Sequence, residues 1–141
     1  MKFCKGARIM NILFVDDYPE IKVQQAIEYL EKEGLDFTYT VARSYHSAIK
    51  YLSKNLNKTD LAIIDLGLPL HDNGDEYNKL EGVNLISLIC WRNIKMPIII
   101  NSNTDIPDEE EYLEPYIAEG ANIHHVKTLY GEWLYEFINK L

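Results

Sequence analysis

The chain has 141 residues, 47% of them hydrophobic and 26% charged, and a formal net charge of -8. That length suits one domain with a full core. The excess of acid argues against nucleic acid or an anionic membrane surface as a direct partner, since both require a basic face. No apolar run approaches the roughly 20 residues of a membrane span, and the opening stretch MKFCKGARIM lacks the apolar segment of a signal peptide. The two cysteines, Cys4 and Cys90, have no metal-ligand spacing and make no disulfide framework. A reducing cytoplasm is the simple expectation.

Residues 1–9 read as an N-terminal tail, and the domain runs from 10 to 141. Asn11 to Val15 (NILFV) is a continuous apolar run, the pattern of a strand buried on both faces. Pro19 to Glu33 carries apolar residues at helical spacing (Ile21, Ala26, Ile27, Leu30), and Gly34 stops it. Phe37 to Ala42 is rich in β-formers. Ser44 is placed to cap a helix running to about Leu56. Leu61 to Ile64 (LAII) predicts a second buried strand, ending at Asp65. A long polar loop follows, then an amphipathic helix over Val83 to Trp91. Pro97 to Ile100 predicts another buried strand. Asp108 to Glu119 has a helical pattern that Pro115 should break or restart. Asn122 to Val126 predicts the last strand, and Gly131 to Leu141 the last helix.

Five β-α units in alternation predict an α/β fold, a parallel sheet with helices on both faces. In such sheets ligands bind beyond the carboxyl ends of the strands, where strand order reverses. The residues at those ends are Asp16 and Asp17, Asp65, Ser102 and Lys127. Two or three carboxylates suit a hard cation such as magnesium, which takes oxygen ligands and keeps several waters. Without a cation they repel, and one takes up a proton. A hydroxyl and a lysine opposite them suit a phosphoryl group. Singly, each residue has a plainer reading. Asp16 or Asp17 could cap the first helix, Ser102 could be a turn hydroxyl, and Lys127 could be a solvated lysine.

The order FVDD, IIDLGLP, PIIINS, VK resembles the response-regulator receiver domain of two-component signalling, over about Met10 to Leu141. The resemblance implies a flavodoxin-like, doubly wound sheet of five parallel strands in the order 2-1-3-4-5. It implies that Asp65 is the phosphoacceptor, and that Asp16, Asp17, Asp65 and the backbone carbonyl of Gly67 hold Mg2+. Ser102 matches the switch hydroxyl and Lys127 the lysine that contacts the phosphoryl group. His124 falls at the position of a mobile aromatic switch residue. The implied partners are a sensor histidine kinase or phosphotransfer protein upstream and a separate effector protein downstream. The implied readout face spans roughly Asp108 to Leu141.

Four departures from the family pattern stand out. Thr128 replaces the proline after the lysine, so a trans Lys127–Thr128 bond is expected, because a non-proline cis bond costs about 2.5–4 kcal/mol. Asn103 replaces a small residue after Ser102. The stretch LHDNGDEYNKLEG, Leu70 to Gly82, inserts about nine residues. Its acids Asp72, Asp75 and Glu76 lack the full spacing of a calcium loop and read as surface. Pro115 and the acids from Asp108 to Glu111 make the fourth helix irregular. His124 and His125, adjacent on a strand, point to opposite faces and do not suit one shared ion.

Three functions compete on this reading. The first is a single-domain response regulator, phosphorylated on Asp65 and not an enzyme beyond slow autodephosphorylation. The second is a phosphorylation-independent pseudo-receiver, a binding module favoured by Asn103 and Thr128. The third is a phosphohydrolase on a related sheet. Its case is poor, because Leu66 and Gly67 follow Asp65 where the second acid of a D-x-D motif would stand.

Overall fold

The computed structural model describes residues 9–74, 77–102 and 107–141, with side chains at 77–80 and 107–110 set aside. The elements in chain order are β1 (Met10–Val15), α1 (Lys22–Lys32), β2 (Phe37–Ala42), α2 (Tyr45–Asn55), β3 (Leu61–Ile64), β4 (Leu68–Pro69), β5 (Tyr77–Asn78), α3 (Lys79–Arg92), β6 (Ile98–Asn101), α4 (Pro107–Ala118), β7 (Ile123–Val126) and α5 (Gly131–Asn139). Residues 1–8, with Cys4, lie outside the described residues, as do Asp75, Glu76 and Asn103.

One sheet holds five parallel strands in the order β2-β1-β3-β6-β7, which is 2-1-3-4-5 when its own strands are counted. The apolar runs explain this. Along β1, Met10, Ile12 and Phe14 join one core with Val23, Ala26, Ile27 and Leu30 of α1 and Leu134 and Ile138 of α5. Leu13 and Val15 join the other core with Ala48 and Leu52 of α2, Ile86 and Ile89 of α3, and Leu113 of α4. Strand β3 divides likewise, Leu61 and Ile63 against Ala62 and Ile64. A strand covered on both faces has no solvent side, so its sequence shows no polar alternation.

Helix α2 starts where its cap predicts. The hydroxyl of Ser44 accepts the backbone N–H of Ser47 at 3.1 Å. The same hydroxyl donates to Oδ1 of Asp72 at 2.6 Å, and the Ser47 hydroxyl donates to that oxygen at 2.5 Å. The inserted loop is thereby tied to the start of α2, and the rings of His46 and His71 stack at 4.2 Å. Asp72 thus satisfies two hydroxyls at a helix N-terminus, a favourable place for an acid.

Other expectations are corrected. Helix α1 begins at Lys22, three residues after Pro19, with no side-chain cap on Ile21. Helix α3 begins at Lys79, before the expected Val83, and the short antiparallel pair β4–β5 precedes it. Pro115 does not break α4, which runs from Pro107 to Ala118 with the proline inside. A proline removes one i→i-4 bond there, while Leu113, 3% exposed, anchors the helix in the core. Tertiary packing outweighs the local defect.

Candidate metal and phosphoryl site

Backbone ladders that run one residue past the strands build the site. Asp65 donates its N–H to the Val15 carbonyl at 2.8 Å, just beyond β3. Asp16 donates its N–H to the Ala42 carbonyl at 3.0 Å, just beyond β1. Two adjacent parallel strands thus end on carboxylates set side by side. Asp16, Asp17 and Asp65 each offer an oxygen within 4.8 Å of the others.

Crowding and burial set the charge state. Burial pushes the Asp65 carboxyl up to about 7, and the charges of Asp16 and Asp17 add to it. The N–H groups of Gly67 and Leu66 pull the other way, Gly67 reaching Oδ1 at 3.2 Å. Asp16 is also raised, first by burial and then by Asp17 and Glu20, against the Tyr18 N–H that its Oδ1 accepts at 2.8 Å. That bond closes a local turn ahead of α1, whose start at Lys22 has no side-chain cap, so Asp16 does not cap the helix. Three carboxylate oxygens gathered in one place, with Asp65 and Asp16 both raised in proton affinity, fit a hard divalent cation.

A cation of the protein already borders this cluster. Arg43, directly after β2, pairs with Glu20, and its Nη1 lies 3.5 Å from the Asp17 carbonyl. Reading the sequence missed Arg43. Its only signal was its place after a strand neighbouring β1.

No family model matches the chain, and no curated protein matches it. Solved structures do. A CheY-like response regulator receiver domain protein from Methanospirillum hungatei JF-1 superposes with a TM-score of 0.70 at 20% identity, over 94% of this chain and 93% of that one. The phosphorylated cyanobacterial phytochrome response regulator RcpA gives 0.67 at 18% identity, over 94% and 91%. The Mn2+-bound response regulator Rcp1 gives 0.65 at 17% identity, over 93% and 90%. The chain has the receiver-domain fold. At these identities the likeness is one of fold, and the chemistry rests on the residues in place.

Within the receiver fold the other expected site residues take the following places. Ser102 is 8% exposed and follows β6, donating its N–H to the Val126 carbonyl at 3.1 Å. Lys127 follows β7 and is exposed. The described residues contain no cis peptide bond, so Lys127–Thr128 is trans, as expected. His124 turns toward α5, its ring edge-on to Phe137 at 4.8 Å and its Nε2 2.5 Å from Oδ1 of Asn122. His125 of the pair reaches Ser102, its Nε2 lying 3.2 Å from the Ser102 carbonyl oxygen. The two histidines do face opposite ways.

Magnesium is expected to raise the melting temperature of the wild type by mass action, about 2.7 kcal/mol at a hundred times the dissociation constant. Asp17→Ala should lose that shift. An unchanged shift in the variant would remove Asp17 from the cation site.

Proposed function

We propose that this chain acts as a response-regulator receiver domain, a Mg2+-dependent phosphoacceptor at Asp65 that signals through protein contacts. The observation that carries the reading is the carboxylate triad Asp16, Asp17 and Asp65 at the ends of adjacent strands. A Mn2+-bound and a phosphorylated neighbour of the same fold support it.

In this reading a carboxylate oxygen of Asp65 attacks the phosphorus of a phosphohistidine on a sensor kinase or phosphotransfer protein. The new O–P bond forms as the N–P bond breaks and its electron pair returns to the ring, leaving an acyl phosphate on Asp65 and, with the proton carried by the other ring nitrogen, a neutral imidazole on the donor. Asp16, Asp17, Asp65 and the Gly67 carbonyl would hold Mg2+, which would supply positive charge against the transferred oxygens. Lys127 contributes a second positive charge. Asp65 must be ionised to attack, and a carboxyl pushed up to about 7 is only partly ionised at neutral pH, so a bound cation would favour the reactive form. The hydroxyl of Ser102 then contacts the phosphoryl group. His124 leaves its seat on Phe137 as the readout face around α4, β7 and α5 changes. An effector reads that face, in the cytoplasm.

Thr128 favours a second reading, the phosphorylation-independent pseudo-receiver, because the family's proline is missing from the turn after Lys127. Mass measurement after incubation with acetyl phosphate and magnesium separates the two. One added phosphate on the wild type, absent from Asp65→Asn, is the expected result. No added mass on the wild type would move the assignment to the pseudo-receiver, and continuous release of phosphate would move it to a phosphohydrolase.

A further inference from the structure

Ser102 is tied to the edge strand twice. Its N–H goes to the Val126 carbonyl at 3.1 Å, and its carbonyl oxygen faces Nε2 of His125 at 3.2 Å. The first tie continues the β6–β7 ladder. The second comes from a side chain, on the face of β7 opposite the His124–Phe137 contact. His125 pairs in register with Ile100, and Ile100 belongs to the core shared with α2, α3 and α4. His124 pairs with Ile99, which belongs to the core shared with α1 and α5. The two histidines therefore lie on opposite faces of the sheet, and of the two it is His125 whose ring reaches the first residue after β6.

We propose that His125 is a positioning residue for Ser102, donating its Nε2–H to the Ser102 carbonyl and restraining that residue in the resting protein. The inference rests on the reading of Ser102 as the switch hydroxyl for its consequence, but not for its geometry. A carbonyl oxygen can only accept, so this nitrogen must carry the proton, as the neutral Nε2–H tautomer or the imidazolium. Any movement of the Ser102 main chain toward Asp65 must then stretch this bond or carry β7 with it. The coupling is reciprocal: a partner that draws His125 outward at the edge strand frees Ser102, and a phosphoryl group that draws Ser102 inward frees His125.

The test uses the full chain without a phosphodonor, so that it does not depend on labelling of Asp65. Nitrogen-15 spectra of the His125 ring should show Nε2 protonated and hydrogen-bonded. The Ser102 amide should exchange with solvent about fivefold faster in His125→Phe, the change that one net hydrogen bond of about 1 kcal/mol supports. His125→Gln, which keeps a donor, should restore most of that protection. Equal Ser102 exchange in wild type and His125→Phe, or an Nε2 without a proton, would overturn the proposal. So would faster exchange spread evenly over β6 and β7, which would mean general loosening. With Asp65 phosphorylated, the His125 ring signals should move away from their resting positions. Unmoved signals on a labelled protein would overturn the coupling. A wild type that takes no label would count against the proposed function and leave the His125–Ser102 restraint standing.

Discussion

Asp65→Asn is expected to stabilise the metal-free protein at about pH 8, and to do so less and less as the pH falls toward about 4. The folded protein raises the Asp65 carboxyl from an ordinary 3.8 to about 7, through burial first and Asp16 second. Between those values the folded state holds a proton that the unfolded chain has given up. Stability therefore falls as pH rises through this window, and above about 7 the full penalty of a buried, repelled carboxylate is present. Asparagine has nearly the same shape and no charge. After a discount for partial solvent access, the gain at high pH should be about 3 kcal/mol. At about 3 °C per kcal/mol for a chain of this length, the melting temperature should rise by about 10 °C. Magnesium at a hundred times its dissociation constant should remove most of the difference, adding about 2.7 kcal/mol to the wild type and leaving the variant little changed. Thermal melts across pH, with and without magnesium, check both parts. Equal melting temperatures of the two metal-free proteins at high pH would mean that Asp65 is not strained by its neighbours.

Gly82→Ala is expected to destabilise the fold by about 3 kcal/mol, in the range of core overpacking. Gly82 lies in the first turns of α3, against the chain that follows Asp65. A Cβ there would stand 2.5 Å from the Cα of Leu66 and 2.8 Å from the carbonyl oxygens of Asp65 and Leu66. All three are backbone atoms and cannot rotate away. The helix itself would gain about 1 kcal/mol from alanine, so the sign depends on which effect is larger, and the backbone clash is. The Gly82 N–H also bonds the Leu66 carbonyl at 3.3 Å, a contact that a displaced helix would lose. A chemical denaturation midpoint compared with Gly67→Ala gives the test. At Gly67 an added Cβ meets nothing within 4 Å, so that variant should stay close to wild type in stability. A Gly82→Ala protein as stable as wild type would show that α3 can move away freely.

Some of this was legible in single residues. Ser44 stands just before an apolar periodic stretch, and it caps α2 through its own hydroxyl as the residue type suggests. Thr128 has no ring to favour a cis bond, and the bond is trans. Other features were hidden because their cause lies elsewhere in the chain. Pro115 looks like a helix breaker by local chemistry, yet α4 continues through it with Leu113 held in the core. The docking of Asp72 on Ser44 and Ser47 joins a loop to a helix cap far earlier in the chain, and no periodicity marks such a pair. Arg43 and His125 gained their places from strand neighbours.

The apolar runs NILFV, LAII and PIII determined the fold class, because a run without polar alternation must be covered on both faces. They also determined which residues follow those strands, and so named Asp16, Asp17, Asp65 and Ser102, while the NIHHV segment named Lys127. Only the tertiary structure decided what those residues are chemically. The shift of Asp65 to about 7 comes from burial and from Asp16 on the next strand, through distance and desolvation that linear order does not encode. Which histidine holds Ser102 was decided the same way. Alternation along β7 sends His124 and His125 to opposite faces, but which helix covers each face depends on how the whole chain packs.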